Sequence, residues 1–217
     1  ERDALANGNF VICSPYWDAP GATNAGALTW VSGTVGITGT PSITNSVVGS
    51  TAYDYVGMIV AALTNGDVAL SSRNWDNGGQ ADVGAVIWMD GNLGLTGAVS
   101  TTNSLVGLAA GNQVGAGLVA LQDGDYLVLS PEWDNGAIAN VGAVTRMAGD
   151  QVATGTVTTT NSLIGAAANH QIGGGGVTVL TNGNYVVQSP YWDDGVITDA
   201  NRKAVQMFGY EQRALIG

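Results

Sequence analysis

Four Trp-Asp pairs are the residues in this chain best equipped for chemistry: Trp17-Asp18, Trp75-Asp76, Trp133-Asp134 and Trp192-Asp193. An indole face can stack on the apolar face of a pyranose while the adjacent carboxylate accepts hydroxyl protons. Tyr16 and Tyr191 stand before the first and last pairs and make those two positions the most aromatic. The same pairs also have an architectural reading. A Trp at a strand end packs between layers, and the following Asp caps a turn by accepting backbone N–H groups. At the level of sequence both readings stay open.

Catalytic groups are scarce. His170 is the only histidine and Cys13 the only cysteine, so a triad, a histidine-bound metal or a thiol nucleophile would depend on one residue each. Two carboxylates could hydrolyse a glycoside, but the Asp residues fall in turns that recur along the chain. The expectation is therefore a non-enzymatic protein with no cofactor and no metal site.

The recurrence is regular. Trp17, Trp75, Trp133 and Trp192 are spaced by 58, 58 and 59 residues, and the turns at Asn7, Asn65, Asp123 and Asn182 keep the same spacing. Asn45, Asn103 and Asn161, each followed by Ser, and Val56, Val114 and Ile172, each followed by Gly, repeat every 58. Four units result, at about 1–50, 51–108, 109–166 and 167–217, forming one domain. Against this frame His170 aligns with Asp54 and Asn112, and Cys13 with Ser71, Leu129 and Gln188. Both are expected to be substituted positions without catalytic partners, His170 on a loop. The position Trp30, Trp88, Arg146 and Met207 changes type between units, as a solvated or ligand-facing position would.

Each unit holds four strand candidates. In the third they are GLVALQ, DYLVLSPEWD, VGAVTRM and NSLIG, with Asp123-Gly124 as the hairpin turn between the first two. The Thr-rich TGTVTTT reads as a linker. Four short strands repeated at this period predict an all-β fold, a β-propeller of four four-stranded blades. It would be a closed four-bladed ring or half of an eight-bladed homodimer. The charges at the ends, Glu1, Arg2, Asp3, Arg202, Lys203, Glu211 and Arg213, are where blades would meet.

The elements Val114-Gly115, Asp123-Gly124-Asp125, Ser130-Pro131, Gly142-Ala143-Val144 and Leu163-Ile164-Gly165 resemble the FG-GAP blades of integrin-type propellers. They are also similar to the Gly/Asn-rich tandem repeats of large bacterial surface proteins. The FG-GAP calcium loop does not carry over, because the turns NGN, NGD and DGD are too short to wrap a cation needing 6–8 oxygens.

Composition narrows the partners. Hydrophobic residues make up 45% and charged residues 11%, with 33 glycines, which excludes disorder and disfavours a helical bundle. A net charge of −11 argues against nucleic acid and anionic membranes. No apolar run is long enough for a spanning helix. The expected function is adhesion by a secreted or cell-surface protein, with lectin-like recognition of a glycan, or recognition of a surface protein, on the loop rim. The other reading is a spacer or assembly repeat without a small-molecule ligand.

Overall fold

Alternating apolar residues in runs of three to five, closed by Asn/Asp-Gly turns, build short antiparallel strands. A computed structural model describes residues 2–193, and every regular element among them is a strand. The first repeat contributes β1 (Arg2–Ala4), β2 (Phe10–Ser14), β3 (Ala27–Val31) and β4 (Val47–Val48). The second contributes β5 (Ile59–Ala62), β6 (Val68–Ser72), β7 (Ala85–Met89), β8 (Gly97–Ala98) and β9 (Leu105–Val106). In the third are β10 (Gly117–Ala120), β11 (Tyr126–Ser130), β12 (Ala143–Met147), β13 (Gly155–Thr156) and β14 (Ser162–Ile164). The fourth begins with β15 (Val177–Val179) and β16 (Tyr185–Val187).

Each of the first three repeats forms an antiparallel meander, β1-β2-β3-β4, β5-β6-β7-β9 and β10-β11-β12-β14, matching the four expected strands. The first hairpin of each unit closes over a loop such as Leu5–Asn9, in which Gly8 takes φ 86, a left-handed value open to glycine.

The Thr-rich segment is more than a linker. In the second repeat it forms β8, which pairs in parallel with β4 of the first; in the third it forms β13, which pairs in parallel with β9 of the second. The second and third repeats thus each add a fifth strand to the sheet before them. The Val99 N–H donates to the Val48 carbonyl and the Val157 N–H to the Val106 carbonyl, and both valines are buried. A strand of two residues has too little periodicity to be read from sequence. The first repeat has Pro41 at this position, which lacks the N–H, and residues 38–41 join no strand.

The sheets stack face to face in chain order. Val11, Cys13 and Leu28 of the first pack on Val68, Leu70 and Ile87 of the second. Ala69 and Val86, on the second sheet's other face, meet Tyr126, Val128 and Ala143. Leu127, Leu129 and Val144 then meet Val177, Val179 and Val187 of the fourth. Central strands β6 and β11 are therefore buried along their whole length. No sheet closes on itself among the described residues. The ring-closure expectations resting on Glu1, Arg202, Lys203, Glu211 and Arg213 lie outside those residues, as does Met207 of the variable third-strand position; Arg2 and Asp3 are within them, and Arg2 places its guanidinium 5.4 Å from the Phe10 ring centre.

Because Val157 is fully buried in the preceding repeat's interface, Val157→Ala should lower stability by about 2 kcal/mol. Val35→Ala, at an 86% exposed position, should stay within about 0.5 kcal/mol, both read from urea unfolding.

Candidate functional site

In the first three repeats the loop carrying the Trp-Asp pair is held by its own carboxylate. Asp18 accepts the Asn24 N–H at 2.7 Å, Asp76 the Asp82 N–H at 2.9 Å and Asp134 the Asn140 N–H at 2.7 Å. One carboxylate oxygen in each of these three repeats is thus committed to the loop it sits on.

The indoles divide by location. Trp75 and Trp133 are 4% and 3% exposed, each packed against the preceding repeat, so neither presents a ring face to a sugar. Their Nε1 atoms are buried without a partner. Trp17 and Trp192 are half-buried. Trp17 borders a cleft of about 530 Å³ formed by residues 13–17 with Gly57 and Met58. Trp192 borders one of about 720 Å³ formed by residues 166–170 and 191–193, where its ring meets His170 edge-on at 6.1 Å. Tyr16 and Tyr191 are 68% and 60% exposed at these clefts. Asp193 is exposed on the same rim as Tyr191. Of the ten sequence-derived residues, Tyr16 and Trp17 line one cleft and Tyr191, Trp192 and Asp193 another, while Asp18, Asp76 and Asp134 close loops. Trp192 also packs against the third repeat, as Trp75 and Trp133 pack against the repeats before them.

Beside Tyr16 lies a feature that periodicity did not single out. Tyr16 packs edge-on against Tyr55 at 5.9 Å, and Tyr55 lies 6.0 Å from Tyr53. Both Tyr53 and Tyr55 have left-handed backbone, φ 69 and φ 52. For a bulky L-residue that conformation costs on the order of 1 kcal/mol. It is held by the Tyr53 N–H to the Thr23 carbonyl at 2.8 Å and the Tyr55 N–H to the Asn24 carbonyl at 3.1 Å. The available signal in the sequence was tyrosine at two positions where the aligned residues are Gly111 and Gln113, then Asn169 and Gln171.

The variable third-strand position is structural in the first two repeats, not ligand-facing. Trp30 Nε1 donates to the Gly91 carbonyl at 2.9 Å and Trp88 Nε1 to the Gly149 carbonyl at 2.7 Å, each in the following repeat. Asn7 and Asn9 donate to the same Gly91 oxygen, and Asn65 to that of Gly149. Only glycine fits there, since a Cβ at Gly91 would strike the Gly66 carbonyl. The variation arises because Arg146 exchanges this clamp for ion pairs with Asp123 and, at 3.0 Å, Asp125.

His170 lies on a loop, as expected, but is not a freely substituted position. It is buried with Asp54 and Asn112 at one repeated position, and each accepts backbone N–H groups of its own loop. Asp54 takes those of Ser50 and Thr51, Asn112 those of Leu108 and Ala109, and His170 Nδ1 that of Ala166. The shared requirement is an acceptor, which three different side chains meet. No group of three or more His, Cys, Asp or Glu residues suited to a metal occurs among the described residues.

The chain matches the family described as a repeat of unknown function (DUF5650) at residues 4–58, 62–116, 120–174 and 179–202. The first three spans run from the first hairpin to the Val-Gly or Ile-Gly step, and all four agree with the period of the turns. The match carries no FG-GAP identity. No curated protein matches the chain.

Burial holds the Asp54 carboxyl above its ordinary value of 3.8, opposed by hydrogen bonds from Thr51, Ser50 and Asp76. A carboxyl whose pKa rises on folding keeps its proton longer in the native state than in the unfolded chain. Stability therefore falls as pH rises from the ordinary carboxylate value through the raised one. Asp54→Asn, which installs the residue type of Asn112, should remove that fall in thermal melts taken across the acidic range.

Proposed function

The chain belongs to the family of repeats of unknown function (DUF5650), and from that premise we propose that it is a non-enzymatic binding module of the adhesin type. It would act in a secreted or cell-surface protein of bacterial kind and recognise glycans through the loop rim of its outer repeats. One observation carries the reading: aromatic side chains are exposed at clefts in the first and fourth repeats, where Tyr16 and Tyr191 stand beside half-buried Trp17 and Trp192. Tyrosine and tryptophan supply apolar area with a polar edge, the combination an amphiphilic sugar ring needs.

A spacer without a small-molecule ligand is the second reading. It is favoured by the work that the inner Trp-Asp pairs already do, with Trp75 and Trp133 shut into interfaces and Asp76 and Asp134 capping loops. A rigid stack needs nothing more from them.

The successive sheets would be blades of a propeller. Support comes from their face-to-face order and from the direct approach of first strands β5 and β10 of adjacent repeats. Light scattering should give the 21.9 kDa of one chain for a ring closed within it. Twice that mass would indicate two arcs closing together.

On a glycan array the protein should bind a related set of sugars, in calcium and equally in chelator. Trp17→Ala or Trp192→Ala should weaken binding at least tenfold while the circular dichroism spectrum stays unchanged. A blank array on folded protein would favour the spacer.

A further inference from the structure

The repeats serve as internal controls for one another. In all three described loops the backbone N–H groups of two alternate residues bond to carbonyls of the Trp-Asp loop: Tyr53 and Tyr55 to Thr23 and Asn24, Gly111 and Gln113 to Ala81 and Asp82, Asn169 and Gln171 to Ala139 and Asn140. The scaffold is the same, and so is the left-handed backbone. Only the first repeat places tyrosines on it.

The partner position changes in step. The third repeat has Glu132 where the first has Tyr16, and the Gln171 side chain donates to Glu132 at 3.3 Å. In the second repeat Asn74 donates to Asp82 instead. The contact that is polar in the third repeat is aromatic in the first, Tyr16 against Tyr55. Three tyrosines therefore form a continuous row, of which Tyr16 and Tyr53 are 68% and 54% exposed. Tyr16 also lines the adjoining cleft with Trp17 and the 44% exposed Met58.

A tyrosine held in left-handed backbone at residue 53, where Gly111 and Asn169 serve the same scaffold elsewhere, is not selected for the fold. Strain of this kind gathers at binding sites. The ligand chemistry follows from the groups present. Each tyrosine offers a ring face for C–H groups and a phenol for hydroxyls. Among the described residues no Lys or Arg lines the cleft, and the chain carries −11, which disfavours an anionic ligand. We infer that Tyr16, Tyr53 and Tyr55 of the first repeat form a binding site for a neutral, polyhydroxylated ring ligand, a pyranose chain laid along the tyrosine row into the Trp17 cleft. This rests on the binding-module reading and assigns its site to the first repeat.

The test compares the full chain with a variant carrying the second repeat's residues, Tyr16→Asn, Tyr53→Gly and Tyr55→Gln, and with Tyr191→Ala. An array of neutral and sulfated oligosaccharides gives binding, and calorimetry gives melting temperatures. The expected result is that the parent binds neutral pyranosides and the triple variant binds at least tenfold more weakly, a larger loss than Tyr191→Ala produces. The triple variant should melt at the same temperature or higher, because left-handed strain is relieved. Binding retained by the triple variant but lost in Tyr191→Ala would overturn this site and leave the module reading standing. Preference for sulfated sugars would overturn the ligand class. A melting temperature several degrees lower would show that the tyrosines serve packing, and no glycan binding by the parent would sink both readings.

Discussion

Burial of a sheet on both faces is the constraint from which the rest of this architecture follows. β6 and β11 have no residue open to solvent, so neither face of the second or third sheet can be completed within its own repeat. Each unit must borrow its neighbours' surfaces, as in other repeat architectures where stability is carried by the interfaces. The apolar alternation is therefore two-sided in the middle of the stack, with Val68 and Leu70 facing one neighbour and Ala69 another. The same logic makes the low charge content intelligible, since so little of each inner strand is available for charge.

Two devices register one unit on the next. One is the strand handed backward, β8 to the first sheet and β13 to the second, with Val99 and Val157 seated in the receiving interface. The other is a glycine carbonyl, that of Gly91 or Gly149, that accepts indole and amide N–H groups from the unit before it. The glycine N–H is meanwhile held by the hairpin of its own unit, through Asp67 or Asp125. A carbonyl so saturated locks the relative height of adjacent sheets. In the third repeat Asp123 replaces the donating asparagine and Arg146 the indole, so the clamp gives way to a local ion pair.

These devices account for the Trp-Asp pairs of the second and third repeats. Inside the stack, the Trp-Asp pairs are used up: the indole fills an interface and the carboxylate closes a loop. Trp17 packs into none of the three described interfaces, and the loop beside it carries aromatic groups in place of the polar ones used elsewhere. One scaffold thus carries a polar contact in the third repeat and an aromatic one in the first.

How much could be read in advance follows from the range of each signal. The all-β class, the four units and the four strands of each meander were written in local pattern, because Trp-Asp, Asn-Gly and Asn-Ser recur at a single period and D-G between apolar runs is a hairpin signal whatever surrounds it. The backward strand was not legible, because two residues pairing with a distant partner leave no periodic trace. Nor was the role of Trp30, Trp88, Asp54, Asn112 or His170, since a repeated position that changes residue type looks tolerant until its hydrogen bonds are known. The chain's local chemistry settles which strands and turns form. Which indoles are sealed and which tyrosines stand together depends on what the neighbouring sheet covers, and only the stacked sheets decide that.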